Sequence, residues 1–340
     1  MNCKNTDPIP IQEVNGKRVE IKDHVKCLGD IFNRKATYID LVDDRVRRGT
    51  VCTVNSMALC NDAQMGKYSI LSLILLYKTV FLKTVIHNSE TWNNLSKNDI
   101  SRLSTAQNKY LKWMLHTSKG TCTSFTLLEL GLLPISQEID LNKLNYLHHI
   151  LNLPSDDPVI QVYREQKQYT SEPNWYNEVK QLLCFYGLDY EEDSIKLMSK
   201  QQWNALTKQA VRSWSVTSLY DECKSKSKTA NIPMYTELSQ QQYFQELTPS
   251  RARKYFQIRA QVYDIKPNRS YLYGDDKVCR LCKNSDETID HLVNRCEVIT
   301  RNSTTITSIY NISESSLLLD RIEQFEKKVK DIEDSTTDNI

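Results

Sequence analysis

Apolar and polar residues alternate with a period of two in only one stretch, the segment EVNGKRVEIKDHVKCLGDIF near the start of the chain. Val19 and Ile21, then Val25 and Cys27, share one side of the alternation, and Asn15-Gly16 offers a two-residue turn. The pattern predicts a small β-hairpin or a three-strand piece. From Ile39 onward the spacing becomes helical. Ile39, Val42, Val46, Gly49, Thr53, Met57 and Cys60 recur at steps of three and four, one stripe of a long helix. Tyr68 to Ile86 is apolar nearly all round and predicts the most buried helix. Ser96 with Asp99 is an acidic form of the capping box, and the helix after it carries Ile100, Leu103, Tyr110, Leu111 and Met114 on one face.

A short helix is expected to end at Gly131, and another to run from about Ser136 to Asn152, stopping before Pro154. From Ser155 to about Leu247 the pattern predicts shorter amphipathic helices broken by Pro173, Gly187 and Pro233, with Trp175, Tyr186, Trp203 and Trp214 in their core. A last helix, about Ser313 to Glu333, places Leu318, Ile322, Phe325, Val329 and Ile332 in a 4-3-4-3 rhythm. That face needs either the body of the protein or a partner helix.

Composition narrows the class. The 340 residues carry a net charge of only +2, so any attraction for nucleic acid must come from local patches. The N-terminus is polar and lacks the apolar core of a signal peptide. The longest apolar run, Ile70 to Ile86, is interrupted by Lys78 and Lys83, which favours a buried helix over a membrane span. Seven of the ten cysteines are scattered without paired spacing and read as reduced thiols of an intracellular protein. The other three cluster.

Cys279-x2-Cys282-x8-His291-x4-Cys296 offers three thiolates and one imidazole, the donor set of a closed tetrahedral zinc site. No open coordination position is implied, so the zinc is expected to be structural. Just upstream, Arg251, Arg253, Lys254, Arg259, Lys266 and Arg269 stand against a single acid, Asp264, with Tyr255, Phe256 and Tyr263 interleaved. Cations neutralise phosphates and rings stack bases, so this run is a candidate nucleic-acid contact. A second basic ridge, Arg102, Lys109, Lys112 and His116 with Lys119 beyond, lies opposite the apolar face of its helix. YGDD at Tyr273–Asp276 has the shape of a polymerase metal box, but a candidate ligand, Cys279, follows two residues later and leaves no second hairpin strand. It reads as a solvated Gly-Asp turn.

The order of these features resembles the part of non-LTR retrotransposon reverse transcriptases that follows the catalytic palm. "VKCLGDIF" is similar to the primer-grip hairpin, with Cys27 where the family usually has Tyr. "LLYKTVFLKTVIHNSETW" with "LSKNDISRLSTAQNKYLKWML" resembles the thumb, and "TLLELGLLPISQEIDLNKLNYLHHILNLP" the segment after it. "RARKYFQIRAQVYDIKPN" with "CRLCKNSDETIDHLVNRC" resembles the basic helix and CCHC knuckle. The resemblance implies a mainly α protein: a palm-closing hairpin over 1–33, a thumb-like helical bundle over 34–153, a helical connector over 154–248, a basic helix and zinc knuckle over 249–300, and an amphipathic helix with a polar tail over 301–340. It implies RNA, an RNA–DNA hybrid or a DNA duplex as partner, together with the upstream palm of the same element, and a nuclear location. The family's metal-binding aspartates belong upstream of the hairpin, so no polymerase activity is expected of this chain alone. A zinc-stapled protein–protein adaptor and an active RNA-directed DNA polymerase are the alternatives.

Overall fold

The computed structural model describes residues 13–14, 17–18, 22–62, 68–169, 171, 173–188, 190–300 and 304–337. Toward the N-terminal end the described residues form two antiparallel two-stranded ribbons, hairpins of the kind the alternation predicts. β1 (Glu13–Val14) pairs with β2 (Lys17–Arg18); the Asn15-Gly16 turn, Val19 and Ile21 lie outside the described residues. β3 (His24–Cys27) pairs with β4 (Asp30–Asn33) across the turn Leu28-Gly29, both at positive φ (48° and 93°). Such a turn matches the twist of its strands. All four β3 residues are exposed, so the alternation read at Val25 and Cys27 marks no buried face. The ribbon is pinned instead through Asp30, which accepts from Arg45 and from Asn88 Nδ2 at 3.1 Å.

α1 (Ile39–Asp62) turns Leu41, Val42, Arg45, Gly49, Thr53, Ser56 and Cys60 inward. The expected stripe is thus displaced at its start, where Ile39 is exposed, and at Val46 and Met57, which are half-buried. Gly49 lets the next helix come close: a Cβ there would lie 2.8 Å from Val85 Cγ2. That next helix is continuous through α2 (Ile70–Leu76), a π-helical turn (Tyr77–Phe81) and α3 (Leu82–Val85). It is not buried all round. Ile70, Leu73, Tyr77, Phe81 and Val85 face the core, while Leu71, Leu75 and Val80 face outward.

α4 (Lys97–Met114) starts at the anticipated box: Ser96 Oγ accepts the Asp99 N–H at 3.1 Å, and Asp99 Oδ2 accepts the Ser96 N–H at 3.2 Å. α5 (Thr123–Leu130) ends at Gly131 with φ +64°, and α6 (Ile135–Leu151) follows. Gly131 is required twice over, by its left-handed backbone and because a Cβ would sit 2.4 Å from the Gln240 nitrogen.

α7 (Pro158–Gln168), α8 (Trp175–Phe185) and α9 (Glu192–Leu197) pack with the C-terminal half of α6 around a second, smaller core holding Trp175 and Trp203. α10 (Lys200–Lys224), at 25 residues, contradicts the expectation of short helices throughout this region. It lies on α5 and α6, and its Val211, Val216 and Leu219 join the main core. α11 (Tyr243–Glu246), α12 (Pro249–Arg259), α13 (Ser270–Tyr273) and α14 (Ser315–Thr337) complete the chain. One continuous core runs from Leu41 to Val329. The structure is mainly helical, as the spacing predicts, with its described strands confined to the N-terminal end.

Candidate metal centre and basic surfaces

The segment after α13 turns back on itself through a bridge between Val278 and Asp286, and a π-helical turn (His291–Arg295) follows. These two turns bring together Cys279, Cys282, His291 and Cys296, whose ligand atoms all lie within 4.8 Å of one another. Tetrahedral zinc with sulfur at about 2.3 Å places its donors roughly 3.8 Å apart, so the group is the right size for such an ion. Cys282 Sγ and His291 Nε2 are 3.2 Å apart, which makes Nε2 the nitrogen offered to the site.

The backbone prepares the sulfurs. Lys283, at φ +60°, curls the chain behind Cys282. The amides of Cys282 and Leu281 point at the Cys279 sulfur, and those of Asn284 and Ser285 at that of Cys282. Burial raises the thiols of Cys279 and Cys296, the latter to about 11. Burial acts the same way on Cys282, but its amide and thiol donors outweigh it and hold it below the ordinary cysteine value. Three of the ligands are buried and Cys282 is half-buried. This group could hold a metal ion in a closed coordination shell.

Sequence reasoning missed the residues that hold the knuckle to the body. Glu287, fully buried, accepts the Arg280 and Lys266 amides at 2.9 and 3.1 Å and the Arg280 guanidinium at 2.7 Å. Arg280 in turn lies over the Phe325 ring of α14. Arg321 of α14 reaches back to the carbonyls of Val293 and Thr304. Leu292 and Val293 join the main core. Nothing local in the sequence marks these pairs, since the partners of Arg321 lie 17 and 28 residues away.

The basic run is largely engaged inside the protein. Arg251 pairs with Asp320 at 2.5 Å, and Lys254 with Glu326 at 2.6 Å, both acids on α14. Arg253 is buried, donating to the Met114 carbonyl at 2.9 Å. Arg259 is buried against Glu129 with two bonds of 2.8 and 2.9 Å, under the rings of Tyr243, Tyr255 and Tyr310. Lys266 reaches Asp276 at 2.5 Å, and Arg269 pairs with Asp264. Tyr255, Phe256 and Tyr263 are core residues. The second Asp of YGDD is therefore the partner of Lys266, in an exposed turn at Gly274.

On α4 the picture differs. Arg102 pairs with Asp43 of α1, but Lys109 is exposed and Lys112 half-buried, its ammonium donating to the Lys119 carbonyl at 2.6 Å. Lys109, Lys112 and Lys119 line a groove of about 680 Å³ between α1 and α4, with Trp113, Val54 and Met57. Among the described residues, no carboxylate lines it. Trp113 was legible only as one more aromatic on the helix. Of the three arginines on α1, Arg47 and Arg48 pair with Asp44, and Arg45 is buried.

His148 is buried with Nε2 2.8 Å from the Met198 carbonyl, and His149 is exposed beside Tyr146. No helix among the described residues is long and apolar enough to cross a membrane. Comparison of the chain with family models, curated proteins and solved structures returns no match.

Proposed function

We propose that this chain is the post-catalytic portion of a non-LTR retrotransposon reverse transcriptase and holds RNA, an RNA–DNA hybrid or a DNA duplex by its backbone. The observation that carries the reading is the groove between α1 and α4, lined by three lysines and a tryptophan and, among the described residues, by no carboxylate. Phosphates fit such a lining because each neutralised charge releases a counterion, and the indole offers a stacking face. In this reading the β3–β4 ribbon, which packs on α1 and is pinned there at Asp30, corresponds to the primer grip.

The metal in this reading is zinc, held by Cys279, Cys282, His291 and Cys296, and its part is to fix the fold. It contributes no reaction, and the polymerase carboxylates belong to an upstream palm. Of the apolar face of α14 on which the adaptor reading rests, Leu318, Ile322, Phe325 and Val329 are covered by the chain itself and Ile332 is exposed.

Binding of a labelled RNA hairpin and a matched DNA duplex, followed across a salt series with the metal present, tests the proposal. Affinity should fall steeply with salt for one or both probes. No binding to either at low salt would overturn it.

A further inference from the structure

Cys122 and Cys223 come from distant parts of the chain and meet where the N-cap of α5 touches the last turn of α10, with their sulfurs 3.9 Å apart. Cys122 is half-buried and Cys223 is sealed from solvent. An accessible thiol backed by a buried one is the arrangement in which the first sulfur meets a reagent and the second completes the exchange. We propose that Cys122 and Cys223 form a redox-active dithiol, in which Cys122 is the nucleophile toward hydroperoxides and Cys223 is the resolving thiol.

The surroundings suit those roles. The hydrogen bond shared with the Cys223 thiol, together with the Phe125 amide, Lys226 and the Thr229 hydroxyl, outweighs burial to bring Cys122 down to about 5. The same sharing of a proton, with burial, pushes Cys223 far up. Of the two sulfurs, the half-buried Cys122, with the Phe125 amide and Lys226 beside it, is the better placed to carry the thiolate, and the sealed Cys223 the better placed to keep a proton.

In the first step the Cys122 thiolate attacks one peroxide oxygen. An S–O bond forms, the O–O bond breaks, and the departing oxygen takes up a proton as water or an alcohol. In the second, Cys223 sulfur attacks Cys122 sulfur. The S–S bond forms, the S–O bond breaks, and the leaving hydroxide takes the Cys223 proton as water. Two thiols lose two electrons in all, and the peroxide gains them. The bond would tie α5 to α10, in the same loop as Lys119, which lines the lysine groove.

The test treats the full, zinc-loaded chain with hydrogen peroxide, quenches at intervals with an alkylating agent, and maps peptides without reduction. A Cys122–Cys223 crosslink should form at least about tenfold faster than Cys184, an exposed cysteine without such neighbours, is oxidised. In Cys223→Ala the reaction should stop at a Cys122 sulfenic acid that dimedone traps. Cys122→Ser, which places a favoured residue at the N-cap position of α5, should leave Cys223 reduced. Oxidation of Cys122 at the rate of Cys184, or a Cys223 that oxidises equally in Cys122→Ser, would overturn the proposal.

Discussion

Arg259 belongs to the same basic run as Arg251 and Lys254, yet its guanidinium lies between Glu129 and three tyrosine rings. Its charge is spent inside. Removing one partner of a buried pair strands the other, so Arg259→Ala should cost about 3–5 kcal/mol in urea unfolding. The double change Arg259→Met with Glu129→Gln should cost less than Arg259→Ala; a larger loss would mean that the carboxylate's bonds to the Tyr235 and Tyr243 hydroxyls outweigh the stranded charge. Asp140 allows a test in pH. Burial raises its pKa against the opposing effects of the Tyr186 hydroxyl and Lys143. The native state then binds its proton more tightly than the unfolded chain, which favours folding at low pH. That advantage disappears as pH rises from the ordinary value of 3.8 through the raised one. Relative to Asp140→Asn, the wild type should lose stability across that window, and parallel stability profiles would contradict the assignment.

Among the elements, the helices with strong apolar spacing and clear caps were legible in the sequence, as Ser96–Asp99 and Gly131 show. The knuckle was legible because two turns impose a short, fixed spacing on its donors. The fate of the basic run was not, because the acids that answer Arg251 and Lys254 lie 69 and 72 residues downstream on α14. Local composition counts charges without knowing what they will meet. The outward Leu71, Leu75 and Val80 were misplaced for a related reason: an apolar composition says nothing of how many sides of a helix are covered. Gly131→Ala forces a side chain into the Gln240 backbone at a left-handed φ and should cost more than about 1 kcal/mol, read from the thermal midpoint. Chelation of the metal, or Cys282→Ser, should loosen α14, since Arg321 and Phe325 hold it to the knuckle. Trypsin would then cut at Lys327, Lys328 and Lys330 in the stripped protein well before the loaded one. Equal cutting rates would show that α14 docks without the metal.

Across the whole molecule, two sets of cations have separate work. Arg251 and Lys254 on α12 fasten α14, whereas Lys109, Lys112 and Lys119 border a groove. The net charge of +2 leaves little general attraction for a polyanion, so the proposed binding depends on local positive charge. The most direct measurement compares the salt dependence of duplex or RNA-hairpin binding for two variants. Each phosphate that a lysine neutralises adds about 0.7–0.9 to the slope of log K against log salt. Replacing Lys109, Lys112 and Lys119 by alanine should therefore weaken binding and lower that slope by roughly 2–3. Replacing Arg251 and Lys254 should lower stability but leave the slope unchanged. A slope that holds in the groove variant and drops in the α12 variant would place the nucleic acid on the other face and contradict the account.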